Sequence, residues 1–242
     1  MGKLLSFIQF AVRASFVGFV STITSLTVSA CDIDSSEFGP AIVQIAQGGN
    51  FSTGVVVDTN RVLTVAHAID WGEAPVEITA NIRGQSTEAV PLLVYQSTDL
   101  ALLKVDTGSI TPIPVATNDL AVDESIWVSG YPLGRARTVE SGQVATINSK
   151  KIVSSALVMP GVSGGGLVRC VESDGTYELA GIVTSYLATV NGDTTVNSGK
   201  SVSLRIAYIR DLMEASARQL NTKQGMQLDI PRSLATHIHT SH

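Results

Sequence analysis

The chain has 242 residues, with 16 lysines and arginines against 21 acidic residues, a net charge of −5, and 44% hydrophobic but only 15% charged residues. That length fits one domain of about 150–200 residues with terminal extensions, and a charged share below the roughly 25% of average soluble domains excludes long solvated or disordered tracts. The acidic balance argues against nucleic acid as a partner, and 21 glycines among abundant Val, Thr, Ser and Ile favour short strands and tight turns, hence an all-β protein.

The first thirty residues carry Lys3 and Arg13, no acid, and an apolar run from Ala14 to Val28. A positive start, an apolar stretch and then Val28-Ser29-Ala30 have the order of a secretory signal peptide cut near Ala30. Two other readings stay open: a retained membrane anchor over residues 4–30, and a lipobox in which Cys31 is lipidated. The N-myristoylation pattern of Met1-Gly2 with Ser6 is short enough to arise by chance and conflicts with export. All three main readings put the body outside the cytoplasm, periplasmic or extracellular, with membrane attachment through the N-terminus in two of them. Without residues 1–30 the chain holds 14 basic against 21 acidic residues. Cys31 and Cys170 are the only cysteines and allow at most one disulfide, unless Cys31 bears lipid or lies too far away.

From Pro40 the chain alternates short apolar runs with turn residues. Ala41–Ala46, Gly54–Val57, Val62–Ala66, Val76–Ile82, Val90–Tyr95 and Leu100–Val105 read as six strands. After an irregular segment, Ser109–Asp123, come Ser125–Ser129, Gly142–Ile147, Ile152–Leu157, Gly166–Cys170, Leu179–Ser185 and Ser201–Ile206. Two six-strand groups with no crossover helix suggest two antiparallel barrels, over about 40–108 and 122–206. Ile209, Leu212, Met213, Ala217 and Leu220 then recur at helical spacing, which predicts one closing helix over about 207–219. Residues 221–242 show no pattern and read as a flexible tail.

Of four histidines, His237, His239 and His242 fall in the last six residues, so His67 is the one that belongs to the folded body. It follows the strand-like Val62-Leu63-Thr64-Val65-Ala66, a rigid mount for a general base. Pro160-Gly161-Val162-Ser163-Gly164-Gly165-Gly166 sets one hydroxyl in a glycine-dense turn, where a backbone free of Cβ atoms can aim successive N–H groups at one point. Asp99 heads the apolar run Leu100-Ala101-Leu102-Leu103, where a carboxylate needs a partner. Taken singly, each has a bland reading: a structural histidine, an ordinary glycine turn, a capping aspartate.

Together the three words, in the order His, Asp, Ser, resemble the trypsin/chymotrypsin superfamily of serine proteases. Ser52-Thr53-Gly54-Val55-Val56-Val57, Gly130-Tyr131-Pro132-Leu133-Gly134, Glu140-Ser141-Gly142-Gln143-Val144 and Gly181-Ile182-Val183-Thr184-Ser185 are most similar to the HtrA/Deg branch of bacteria. The resemblance implies a chymotrypsin-like double β-barrel over residues 31–220 and a serine endopeptidase acting on polypeptides. His67, Asp99 and Ser163 would be its triad, the N–H groups of Gly161 and Ser163 its oxyanion hole, and it would use no metal or organic cofactor. Leu157, Thr184, Ser185 and Tyr186 would line the pocket for the residue before the cut, and the absence of an acid there favours small or aliphatic side chains over Lys or Arg.

The chain also departs from the family pattern. Val162 stands where digestive members carry an Asp that pairs with a newly cut N-terminus, so activation by terminal insertion is not expected. Ala68 replaces a common half-cystine, and no PDZ-like segment is expected after the helix. The rival reading is a non-catalytic or activator-dependent binding protein of the same fold at the cell envelope. The tail histidines are read as solvated and are assigned no metal site. Oligomeric state leaves no mark in the sequence.

Overall fold

Strands form where apolar side chains alternate between Gly and Asn turns, and a computed structural model describes them over residues 31, 37–70, 77–173, 175–191 and 194–228. The export segment within residues 1–30 and the histidines of 229–242 lie outside the described residues. The first barrel comprises β1 (Ile42–Gln47), β2 (Asn50–Asp58), β3 (Arg61–Thr64), β4 (Ile78–Ile82), β5 (Gln85–Tyr95) and β6 (Leu100–Val105). The second comprises β7 (Ser125–Gly130), β8 (Thr138–Ile147), β9 (Lys151–Ser154), β10 (Gly166–Val171), β11 (Thr176–Asn191) and β12 (Thr194–Arg205). Helix α1 (Ile206–Leu228) follows directly.

The two barrels share one connectivity. Their neighbour orders are β1-β2-β3-β6-β5-β4 and β7-β8-β9-β12-β11-β10, both closed and antiparallel throughout. Closure pairs the edges of each barrel's sheet within the barrel, which matters in a chain with so few charges to guard one. The turns are chemically apt: Gly48-Gly49 and Arg83-Gly84 each take positive φ at both positions, as two-residue hairpins with right-handed strand twist require. Pro91, which has no N–H for a ladder, sits at the bulge between Pro91 and Leu93.

Each expected strand is present, with shifted ends. β11 and β12 run well past Leu179–Ser185 and Ser201–Ile206, because their outer halves pair with each other and bury no continuous apolar face. The irregular segment between barrels buries Ile110, Ile113, Ala116 and Leu120. It is stitched to both barrels through Ile113 N–H to the Val56 carbonyl and Ala116 N–H to the Leu179 carbonyl. Leu100 through Leu103 are all fully buried, since β6 has barrel interior on one face and packing from α1 on the other. Helix α1 buries Ile206, Ile209 and Leu212 and continues to Leu228, past the Gln219 at which its apolar period fades. No helix-breaking proline intervenes before Pro231.

Cys31 and Cys170 are disulfide-bonded, with Cα atoms 5.9 Å apart. The bridge spans a sequence separation of 139 residues. Replacing both cysteines with serine should lower the unfolding free energy by about 2–4 kcal/mol, because it frees the unfolded chain. Urea unfolding of the oxidised protein against the double variant checks this, and equal midpoints would count against it.

Candidate active site

β3 ends at Thr64, and His67 sits just beyond it in a short 3-10 turn, Ala66–Ala68, rather than on the strand itself. Asp99 enters from the tight turn ahead of β6, where its N–H donates to the Gln96 carbonyl and its φ is 59°. Aspartate tolerates this left-handed conformation better than most residues. The turn is held from the second barrel by Lys150, whose Nζ donates to the Ser97 carbonyl at 2.7 Å.

These two turns bring the groups together. His67 Nδ1 lies 2.9 Å from Asp99 Oδ2 and 3.0 Å from Oδ1, while the His67 backbone N–H donates to Oδ1 at 2.9 Å. An ionised carboxylate only accepts, so Nδ1 carries the proton and Nε2 is left as the acceptor. The hydrogen bond to Asp99 raises the His67 pKa above its ordinary 6.5, with the carboxylate's charge adding to it and partial burial opposing it. For Asp99, burial works against the charged form, but hydrogen bonds from the His67 ring and backbone, with the nearby His67 and Lys151 charges, outweigh it and lower its pKa.

Ser163 comes from the second barrel, in the turn between Pro160 and Gly165. Gly161 has φ +95°, and a Cβ there would lie 2.6 Å from the Tyr131 carbonyl oxygen. Gly164 has φ +85°, and a Cβ would lie 2.0 Å from the Thr53 carbonyl oxygen. Only glycine fits either position. The carbonyls of this turn are spoken for: Leu133 N–H donates to Pro160 O at 2.7 Å, and Gly165 N–H to Val162 O at 2.7 Å. No peptide bond among the described residues is cis, so across each of these bonds the N–H points opposite to its carbonyl. The N–H groups of Gly161 and Ser163 therefore face away from those anchors, and neither finds an acceptor among the described residues.

His67, Gly161 and Ser163 line one cavity of about 440 Å³, with Val158, Met159, Pro160, Val183, Thr184, Ser185, Tyr186 and Ala188. Among the described residues, no carboxylate, lysine or arginine lines it. Thr184, Ser185 and Tyr186 are where the sequence puts them, but Leu157 is not. It is 49% exposed and lines a smaller cavity of about 110 Å³ beside Glu140 and Pro132, while Val158 and Met159 line the main one. β9 stops at Ser154, so strand alternation does not carry through to residue 157. The Asn197 side chain, from β12, pins this wall by donating to the Val158 carbonyl at 2.6 Å. Val162 is buried against Gly130, with no charge to be compensated. A second cleft of about 420 Å³, beside Arg83 and Arg137, contains no comparable base and nucleophile. No group of three or more His, Cys, Asp or Glu residues that could hold a metal occurs among the described residues.

The profile of the trypsin-like peptidase domain matches residues 52–174, half of the chain. The chain belongs to that family. It is accordingly a trypsin-like serine endopeptidase, and polypeptides are its substrates. Among solved structures, this peptidase is similar to an inactive form of Rv3671c from M. tuberculosis H37Rv carrying a serine-to-alanine change. That match has 20% identity and a TM-score of 0.61, covering 76% of this chain and 90% of the other. It is also similar to the serine endoprotease from Yersinia pestis, at 24% identity and a TM-score of 0.64, covering 76% of this chain and 65% of the other. At these identities the likeness is one of fold. No curated protein matches the sequence.

Replacing Asp99 with asparagine removes the negative charge, and with it the charge-assisted character of the hydrogen bond, that holds the imidazolium. The protonation midpoint of His67, followed by the NMR shifts of its ring, should then fall below that of the wild-type peptidase, and an unmoved midpoint would refute the assignment of the shift to Asp99.

Proposed function

We propose that the peptidase cuts its substrates through Ser163, His67 and Asp99, with an acyl-enzyme intermediate. Ser163 Oγ attacks the scissile carbonyl while His67 Nε2 takes its proton. The C–N bond then breaks, the leaving amine receives that proton from His67, and water repeats the sequence on the ester to release the acid. Asp99 fixes the tautomer and stabilises the imidazolium. The N–H groups of Gly161 and Ser163 receive the developing oxyanion. The observation that carries this reading is the bond between His67 Nδ1 and Asp99 Oδ2 at 2.9 Å, on the wall of the same cavity as a serine flanked by two N–H groups without acceptors.

A pocket lined by Val158, Met159, Val183 and Ala188 favours small or aliphatic side chains before the cut, because nothing in it repays desolvation of a cation. Export is part of the proposal. A disulfide between Cys31 and Cys170 is at home in an oxidising compartment, which agrees with a signal peptide ending near Ala30.

Casein digestion by the peptidase should be abolished by Ser163→Ala, and the cut sites of the wild type should carry Ala, Val or similar residues on their acyl side. Absence of digestion by both proteins, each folded and disulfide-bonded, would move the balance to the non-catalytic reading. Because neutral His67 is required and its pKa is raised, kcat/KM should fall with acidification from a midpoint above 6.5. A midpoint at or below 6.5 would contradict the raised pKa of His67, and a rate that does not fall with acidification would contradict His67 as the base.

A further inference from the structure

Thr53, on β2 of the first barrel, is fully buried yet polar. Its hydroxyl donates to the Gly161 carbonyl at 2.8 Å and accepts from the Tyr131 N–H at 2.9 Å, reaching positions 108 and 78 residues away in the chain. Its backbone N–H donates to the Ser163 carbonyl at 2.9 Å, and its carbonyl accepts from the Thr64 hydroxyl at 2.7 Å. One residue thus grips the serine turn on both sides of Val162 and ties it to the Tyr131–Gly134 loop, whose Leu133 N–H holds the Pro160 carbonyl. There is no slack in this grip, since Gly164 packs directly on the Thr53 carbonyl.

We propose that Thr53 is a positioning residue whose hydroxyl locks the Gly161–Val162 peptide, the link between the two peptides that carry the Gly161 and Ser163 N–H groups, so that the oxyanion donors are aimed before substrate arrives. This rests on the reading of Ser163 as the nucleophile. The physical reason is the freedom of Gly161. Without a Cβ it can rotate at little cost, and rotation of its carbonyl is opposed by the Thr53 hydroxyl at one end of the peptide and, at 3.2 Å, by the Val162 N–H bond to the Met159 carbonyl at the other. Removing that hydroxyl leaves the Gly161 carbonyl and the Tyr131 N–H without their partner, and as the peptide turns to find another it changes Gly161 ψ and Val162 φ and carries the adjoining Gly161 and Ser163 N–H groups off their aim. A donor turned away is lost only to the transition state, because the ground-state carbonyl carries little charge.

The test compares Thr53→Val, which keeps the shape without the hydroxyl, with Thr53→Ser, which keeps the hydroxyl. On a peptide substrate taken from the casein cut sites, Thr53→Val should lose about 10²-fold in kcat, the scale of one oxyanion donor, with KM little changed. Thr53→Ser should stay near wild type. If Thr53→Val does not fold, Thr53→Ala against Thr53→Ser makes the same comparison by a single oxygen. Undiminished kcat in the folded variant lacking the hydroxyl, or equal loss with and without it, would overturn the role of Thr53. Retention of activity by Ser163→Ala would instead bring down the reading of Ser163 itself.

Discussion

The constraint on which the site depends is the pinning of a glycine turn in one barrel by a strand of the other. Residues 160–165 hold their shape because the carbonyls of Pro160, Gly161, Val162, Ser163 and Gly165 have fixed donors, from Leu133, Thr53, Gly165 and Val183, and because Gly161 and Gly164 let backbone approach backbone where no side chain fits. Such a turn has little intrinsic stability. It is imposed from outside, by β2 and by the loop after β7, and those are rigid because they belong to closed barrels with fully buried residues such as Leu63, Leu102, Leu167 and Ile182. Closure of the sheets, satisfaction of the turn's carbonyls and the orientation of two N–H groups form one chain of cause.

The electrostatics of His67 and Asp99 follow from the same economy of means. A half-exposed imidazole and a partly buried carboxylate share two ring contacts and a backbone N–H, enough to hold a charge on Asp99 against its burial and to make His67 more basic than a free histidine. The lining of the cavity adds no competing charge. His67 therefore faces one partner acid, which simplifies its titration and ties it to a single side chain.

Much of this was legible in the residues. Period-two apolar runs marked every strand of both barrels, and His67, Asp99 and Ser163 stood out as chemically exposed words beside buried ones. What was not legible had physical reasons. The resemblance implies Leu157 in the pocket wall, whereas the backbone after β9 ends at Ser154 is irregular and brings Val158 and Met159 to the cavity that His67 and Ser163 line. The outer halves of β11 and β12 carry polar residues whose pairing is invisible to a hydrophobic pattern. Thr53 looked like any strand threonine, because only the folded chain shows that its hydroxyl bonds two segments remote in sequence. The pairing of Cys31 with Cys170 depends on distance in space, and spacing alone left it open.

The division of the proposed catalytic groups between barrels has a further consequence. His67 and Asp99 ride on the first barrel and Ser163 on the second, while the hydrogen bonds that align them cross the seam through Thr53, Tyr131 and Lys150. Neither half possesses a working centre. The alignment of the proposed groups is therefore decided at the seam, where one continuous buried core joins the two barrels, as much as within either sheet.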